Sequence, residues 1–166
     1  CGQNSYGGLG HGNTNNDYDL PTKIDALNGS NIVAISAGGD HSLFLAENGN
    51  VYSCGNHYGQ LGRTGDNTKP IQITATIGSS NIVAIRAGGD HSLFLDINGN
   101  VYSCGKTNFG QLGRTVEGVN YKRPMQIIET IGNSNIVAIC AGVSHSLFLD
   151  EYGRVYSCGL NNHAQL

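Results

Sequence analysis

Nine residues, Ala-Gly-Gly-Asp-His-Ser-Leu-Phe-Leu, run from Ala37 to Leu45. They return letter for letter from Ala87 to Leu95, and again as Ala-Gly-Val-Ser-His-Ser-Leu-Phe-Leu from Ala141 to Leu149. Other slots keep the same beat. Tyr-Ser-Cys-Gly ends at Gly55, Gly105 and Gly159, and Ser-Asn-Ile-Val-Ala-Ile starts at Ser30, Ser80 and Ser134. Pro stands at 21, 70 and 124, and Leu-Gly closes a Gly-rich stretch at Leu9-Gly10, Leu61-Gly62 and Leu112-Gly113. The histidines at 41, 91 and 145 set a period of 50 to 54 residues. A repeat of this length constrains the fold more than any single motif, because one small unit cannot cover its own apolar faces and must stack on copies of itself.

Within a period the pattern is that of strands. Asn31–Gly38 is β-branched and apolar at both parities, which predicts a strand buried on both faces. His41–Leu45 follows a Gly-rich turn. Asn48-Gly49 and Asn98-Gly99 then separate two strand signals, which predicts hairpins with type I′ turns. Tyr152-Gly153 keeps only the glycine, so the third turn is expected to be less favourable. A fourth short strand is expected after each Pro, at Thr22–Leu27, Ile71–Thr76 and Met125–Thr130. No segment holds a 3.6-residue period over ten residues. The fold class is therefore all-β. Four short antiparallel strands per period of about 50 residues describe propeller blades, here about three of them. The repeats divide approximately as 1–53, 54–103 and 104–157, with 158–166 opening a further one. Both ends cut a motif, which points to a piece of a longer propeller whose open blade flanks would favour self-association.

Composition narrows the function classes. Charged residues are 13% of 166, and the net charge is −3. That balance gives no support for nucleic-acid or chromatin contact. No apolar run approaches the roughly 18–20 residues that span a bilayer, so no membrane partner is expected. There are 25 glycines and five cysteines, four of the latter (Cys1, Cys54, Cys104 and Cys158) in one repeated slot.

The adjacent Asp40-His41-Ser42 invites a hydrolytic reading. In an extended segment neighbouring side chains point to opposite faces, so the three cannot form a relay. The third copy also replaces Asp with Ser144. His41, His91 and His145 are read instead as architecture. They fill a slot between blades and bond a backbone group across a turn that Gly38, Gly88 and Gly142 keep tight. Each period supplies one such His and one Cys with no Cys-x-x-Cys, so neither a zinc site nor a disulfide ladder is expected. Gly7–Gly12 superficially resembles a phosphate-binding loop, but it lacks the flanking strand and helix. No catalytic residue, metal or cofactor is assigned.

Positions where the copies disagree are the better clues to binding. Ser36, Arg86 and Cys140 share one slot, and Arg86 on an apolar strand is expected at the central channel or a blade end. The Leu-Gly to Pro loop varies most. In the third period Arg114–Pro124 carries Arg114, Tyr121, Lys122 and Arg123, a basic-aromatic cluster of the kind enriched at interfaces.

The run Ala-Gly-Gly-Asp-His-Ser-Leu-Phe-Leu, the Gly-Asn-Val-Tyr exit at Gly49, Gly99 and, as Gly-Arg-Val-Tyr, Gly153, and the Gly-Gln-Leu-Gly tail together resemble the repeat of the regulator of chromosome condensation (RCC1) family. The resemblance covers essentially the whole chain and implies three blades of a seven-bladed propeller. The family's frequent Trp is Cys here, at Cys54, Cys104 and Cys158, and the chain has no Trp, which argues against the light sensing of plant ultraviolet receptors of this superfamily. The resemblance implies an intracellular protein, cytoplasmic or nuclear, that binds a protein partner and is not an enzyme. It also opens two further readings: guanine-nucleotide exchange on a Ran-like small GTPase, and a regulatory propeller within a larger ubiquitin ligase.

Overall fold

In the computed structural model, residues 1–14, 18–74, 77, 79–128, 131 and 134–166 are described. Eleven strands form among them: β1 (Ile32–Ala37), β2 (His41–Ala46), β3 (Val51–Gly55), β4 (Ile71–Gln72), β5 (Ile82–Ala87), β6 (His91–Asp96), β7 (Val101–Gly105), β8 (Met125–Gln126), β9 (Ile136–Ala141), β10 (His145–Asp150) and β11 (Val155–Gly159). They make antiparallel sheets in the orders β1-β2-β3-β4, β5-β6-β7-β8 and β9-β10-β11. The sheets pack face to face in chain order, and β1, β5 and β9 neighbour one another along one edge. This is a propeller arrangement, with the first strand of each blade on the axis side.

Each interface between blades is a separate apolar core. Leu43, Leu45, Val51 and Ile73 of the first blade meet Ile82, Ile85, Phe94, Tyr102 and Cys104 of the second. Leu93, Leu95, Val101 and Ile127 of the second meet Ile136, Ile139 and Phe148 of the third. Burying one such side chain contributes about 1.5–3 kcal/mol, and most of that exists only with the neighbouring blade in place.

Three expectations are corrected. The first strands are not buried on both faces. Each carries an extra residue between Ile32 and Ala34, Ile82 and Ala84, or Ile136 and Ala138, and these bulged residues (Val33, Val83 and Val137) are exposed. Ile35 is 74% exposed whereas Ile85 and Ile139 are at most 4%, because no sheet covers that side of the first blade.

The hairpin turns are not type I′. Asn48 and Asn98 have no positive φ; only Gly49, Gly99 and Gly153 do, at +81°, +78° and +80°. Gly49 N–H donates to Ala46 O and Ala46 N–H to Asn50 O, so the loop is a type I turn closed by a glycine bulge. Such a turn accepts most residues before the glycine, so Tyr152 brings no penalty. Its Asp150 carboxylate accepts the N–H groups of Tyr152 and Arg154, as Asp96 accepts those of Asn98 and Asn100.

The fourth strands shrink to Ile71–Gln72 and Met125–Gln126, and Asp25–Leu27 is a single 3-10 turn rather than a strand. The expected ends of the other two, at Ala75-Thr76 and Glu129-Thr130, lie outside the described residues.

Candidate interaction surface

The repeated polar residues face inward. His41 and its neighbour Ser42 reach opposite partners. Ser42 Oγ donates to Gly8 O, while His41 Nε2 lies 2.9 Å from Ser92 Oγ of the next blade. His91 Nε2 meets Ser146 Oγ at the same distance. The histidines thus bond a hydroxyl across the blade interface rather than the backbone group expected from the sequence. Ser92 Oγ donates its proton to Gln60 O and Ser146 Oγ to Gln111 O. The imidazole must therefore donate through Nε2. Burial, and next the like-charged histidine one blade on, push His41 and His91 down to about 4, against a weaker opposing pull from Asp90. A neutral His donating to a sealed Ser has no base to offer, so these pairs do not activate a nucleophile.

Gly38, Gly88 and Gly142 sit against the rings of His41, His91 and His145, where a Cβ would collide with imidazole atoms. Cys54 and Cys104 are buried free thiols and Cys158 a half-buried one. Burial raises all three, Cys54 to about 12 and Cys158 to about 11. Among the described residues no three His, Cys, Asp or Glu side chains could hold a metal ion. Among the described residues no helix is long and apolar enough to cross a membrane.

The connector between blades is tied down by arginine. Arg63 donates from Nε to Ser53 Oγ, from one terminal nitrogen to Ser53 O and from the other to Asp66 O. Arg114 repeats the pattern on Ser103 and adds Asn120 O. Its guanidinium is thus engaged within the chain, which the sequence grouping with Tyr121, Lys122 and Arg123 did not foresee.

Those three do sit together, in and after a 3-10 turn at Asn120–Lys122. Lys122 Nζ lies 5.7 Å from the Tyr121 ring centroid. Tyr121 packs so closely on Gly59 that a Cβ there would lie 2.8 Å from Tyr121 Cδ2. Tyr121 and Lys122 line an open cleft with His57, Tyr58, Asp90, Lys106 and Asn108, in which Lys106 Nζ pairs with Asp90 at 3.3 Å. Lys122 and Arg123 also line a second cleft with Arg63, Ile71 and Gln72. Arg86 is apart from this cluster. It is exposed on β5, on the axis side, with a terminal nitrogen on Ile85 O.

The family profile described as "Regulator of chromosome condensation (RCC1) repeat" matches residues 1–45, 48–95 and 98–149, and a second profile of that description matches 32–60, 82–111 and 136–165. The chain belongs to the RCC1 repeat family. It is 35% identical over 170 residues to human probable E3 ubiquitin-protein ligase HERC4, covering 99% of this chain and 16% of that protein. It is 33% identical over 190 residues to the Xenopus laevis protein RCC2 homolog, covering 99% of this chain and 37% of the other. Among solved structures, Prp20p from Saccharomyces cerevisiae, described with its binding properties to Gsp1p and histones, superposes with a TM-score of 0.81 at 30% identity, over 99% of this chain and 41% of that one. The chain thus spans well under half the length of these relatives.

In these RCC1 repeats the shared letters are spent on packing, and the rim differs from copy to copy. One rim feature escaped the sequence reading. Tyr6, Tyr58 and Phe109 occupy one slot, immediately before the Gly-Gly-Leu-Gly or Gly-Gln-Leu-Gly tail, and are 48%, 65% and 43% exposed. The signal was an aromatic at a fixed position in a turn, where burial does not require one.

Proposed function

We propose that this RCC1-repeat chain is a protein-interaction platform without covalent chemistry of its own, presenting the rim that carries Tyr58, Tyr121, Lys122 and Arg123. One observation carries the reading: the recurring His, Ser and Cys are consumed between blades, while the Arg114–Pro124 loop lines two clefts through Lys122. The test is cross-linking mass spectrometry on the chain and on its K122E/R123E variant. Partner cross-links mapping to residues 106–123 and lost in the variant are expected. Cross-links that survive the double charge reversal would sink this choice of rim. Arg86 is a secondary candidate contact on the axis side, and an intracellular setting, cytoplasmic or nuclear, belongs with the same reading.

A second reading is guanine-nucleotide exchange on a Ran-like small GTPase, favoured by the likeness to Prp20p. Exchange requires only tighter binding of the nucleotide-free GTPase. Accelerated release of a fluorescent guanine nucleotide would replace the plain platform with this activity. The likeness to HERC4 supports a third role, as the regulatory propeller of a larger ligase.

A further inference from the structure

The chain holds three Asn-Gly pairs, at Asn28, Asn48 and Asn98. Such a pair is open to one backbone reaction, because glycine has no Cβ to keep its nitrogen away from the preceding carboxamide. The same two letters stand here in different surroundings. Gly49 and Gly99 are buried in hairpin turns, where Gly49 N–H donates to Ala46 O and Gly99 N–H to Asp96 O. Both glycines also press on the next blade. A Cβ added at Gly49 would lie 3.2 Å from Ile82 N, and one at Gly99 2.9 Å from Ile136 N. Freeing either nitrogen therefore means opening a hairpin and part of a blade interface.

Asn28-Gly29 stands apart. Asn28 has φ −57° and ψ 128°, Gly29 has φ +80°, and Ser30 N–H donates to Leu27 O at 3.0 Å. These are the angles of a type II turn, with glycine where φ must be positive. Both residues are exposed, and a Cβ on Gly29 would meet nothing within 4 Å. Among the described residues no group accepts the Gly29 N–H. At this ψ the Gly29 nitrogen sits to one side of the Asn28 carboxamide, so the bond must rotate before the two can meet. Only the turn hydrogen bond and a 3.3 Å bond from Asn28 Nδ2 to Asp25 Oδ1 resist that rotation. Local opening of this kind lies at the low end of the free energies a fold presents. The next two blades carry Gly78-Ser79 and Gly132-Asn133 in this slot, so the pair belongs to the first blade alone.

We propose that Asn28 is a site of spontaneous deamidation in the folded chain, and that the fold protects Asn48 and Asn98. Gly29 N bonds to Asn28 Cγ, the Cγ–Nδ2 bond breaks, and ammonia leaves with the Gly29 proton, closing a succinimide. Water then opens the ring. Attack at Cγ gives Asp, and attack at the main-chain carbonyl gives isoaspartate, with the chain running through the β-carbon. The new carboxylate replaces a donor to Asp25 and joins Glu47 in one shallow cleft, turning that corner of the first blade acidic.

The test incubates the folded 166-residue chain in mildly alkaline heavy-oxygen water and follows label uptake at each Asn by peptide mass spectrometry. Asn28 should convert at least about tenfold faster than Asn48 or Asn98. In unfolding urea the three rates should converge. Labelling by an isoaspartyl methyltransferase should appear with the same time course and be absent from N28Q. Hairpin asparagines that keep pace with Asn28 in the folded chain overturn the inference. So does an Asn28 lead that persists in urea, since sequence alone would then set the order, and so does methyltransferase labelling that N28Q retains.

Discussion

The histidine at each blade interface is the residue on which pH acts. His41 and His91 are buried, donate through Nε2 to a serine, and have no acceptor for a second proton on Nδ1. Folded, they stay neutral until about pH 4; unfolded, they take up a proton near 6.5. Between those values the unfolded chain binds more protons than the folded one, so protonation draws molecules out of the folded state. The stabilisation is complete above pH 6.5, is lost as pH falls toward 4, and changes no further below that. Each imidazole contributes on the order of 3 kcal/mol to the difference. Ordinary carboxylates titrate near 4, so the decline between pH 6.5 and 5 belongs to the histidines. Urea unfolding at pH 7.5, 6 and 5 should show a midpoint that drops steadily. A midpoint flat across that range would contradict the buried neutral pair.

At the level of elements, the connector is held to its blade by one arginine. Arg63 is almost fully buried and satisfies carbonyls of Ser53 and Asp66, whereas Arg114 does the same work half-exposed. Hydrogen bonds from a charged donor contribute about 1.5–3 kcal/mol, and carbonyls left bare inside cost more than those that water can reach. We expect Arg63→Ala to cost about 2–3 kcal/mol in chemical denaturation and Arg114→Ala about 1 kcal/mol. The reverse order would mean that Arg114, not Arg63, anchors its connector. The strands themselves were legible, because Ile32–Ile35 and its copies supply β-branched residues, and His41–Leu45 and its copies aromatic and aliphatic ones, with clear turn signals between. Three details were not. The bulge at Val33 has no letter of its own, since Ile-Val-Ala-Ile reads the same with or without it. Asn-Gly fits two turn types, and Asp96 and Asp150, capping from the first position of the turn, favour the one observed. The post-Pro strands are edges two residues long, and alternation over six letters overstates them.

At the level of the whole molecule, repetition made the architecture readable, while the binding face stayed obscure because it consists of departures from the repeat. The same repetition governs how this chain behaves alone. Val51 and Val101 are at most 2% exposed, but their counterpart Val155 is 66% exposed, and Leu147 and Leu149 beside it are only half-covered. Ile35 is left open at the opposite flank. The two open flanks are the two halves of one interface, since each blade shows its successor the face that Val155 shows to solvent. A second copy can dock head to tail, placing His145 near Ser42 as His41 meets Ser92. Such a heterologous contact closes or propagates according to its rotation. With the seven blades per turn that the family resemblance implies, two copies fill six places, and the remaining gap of one blade cannot admit a third copy of three. Association of the 166-residue chain should therefore stop at the dimer. Analytical ultracentrifugation at rising concentration should show monomer and dimer alone, and V155D or I35D should each abolish the dimer while leaving the circular dichroism of the strands unchanged. Open-ended growth would mean a blade rotation too small to bring two copies round the axis, and a monomer at every concentration would mean that these flanks do not complement one another.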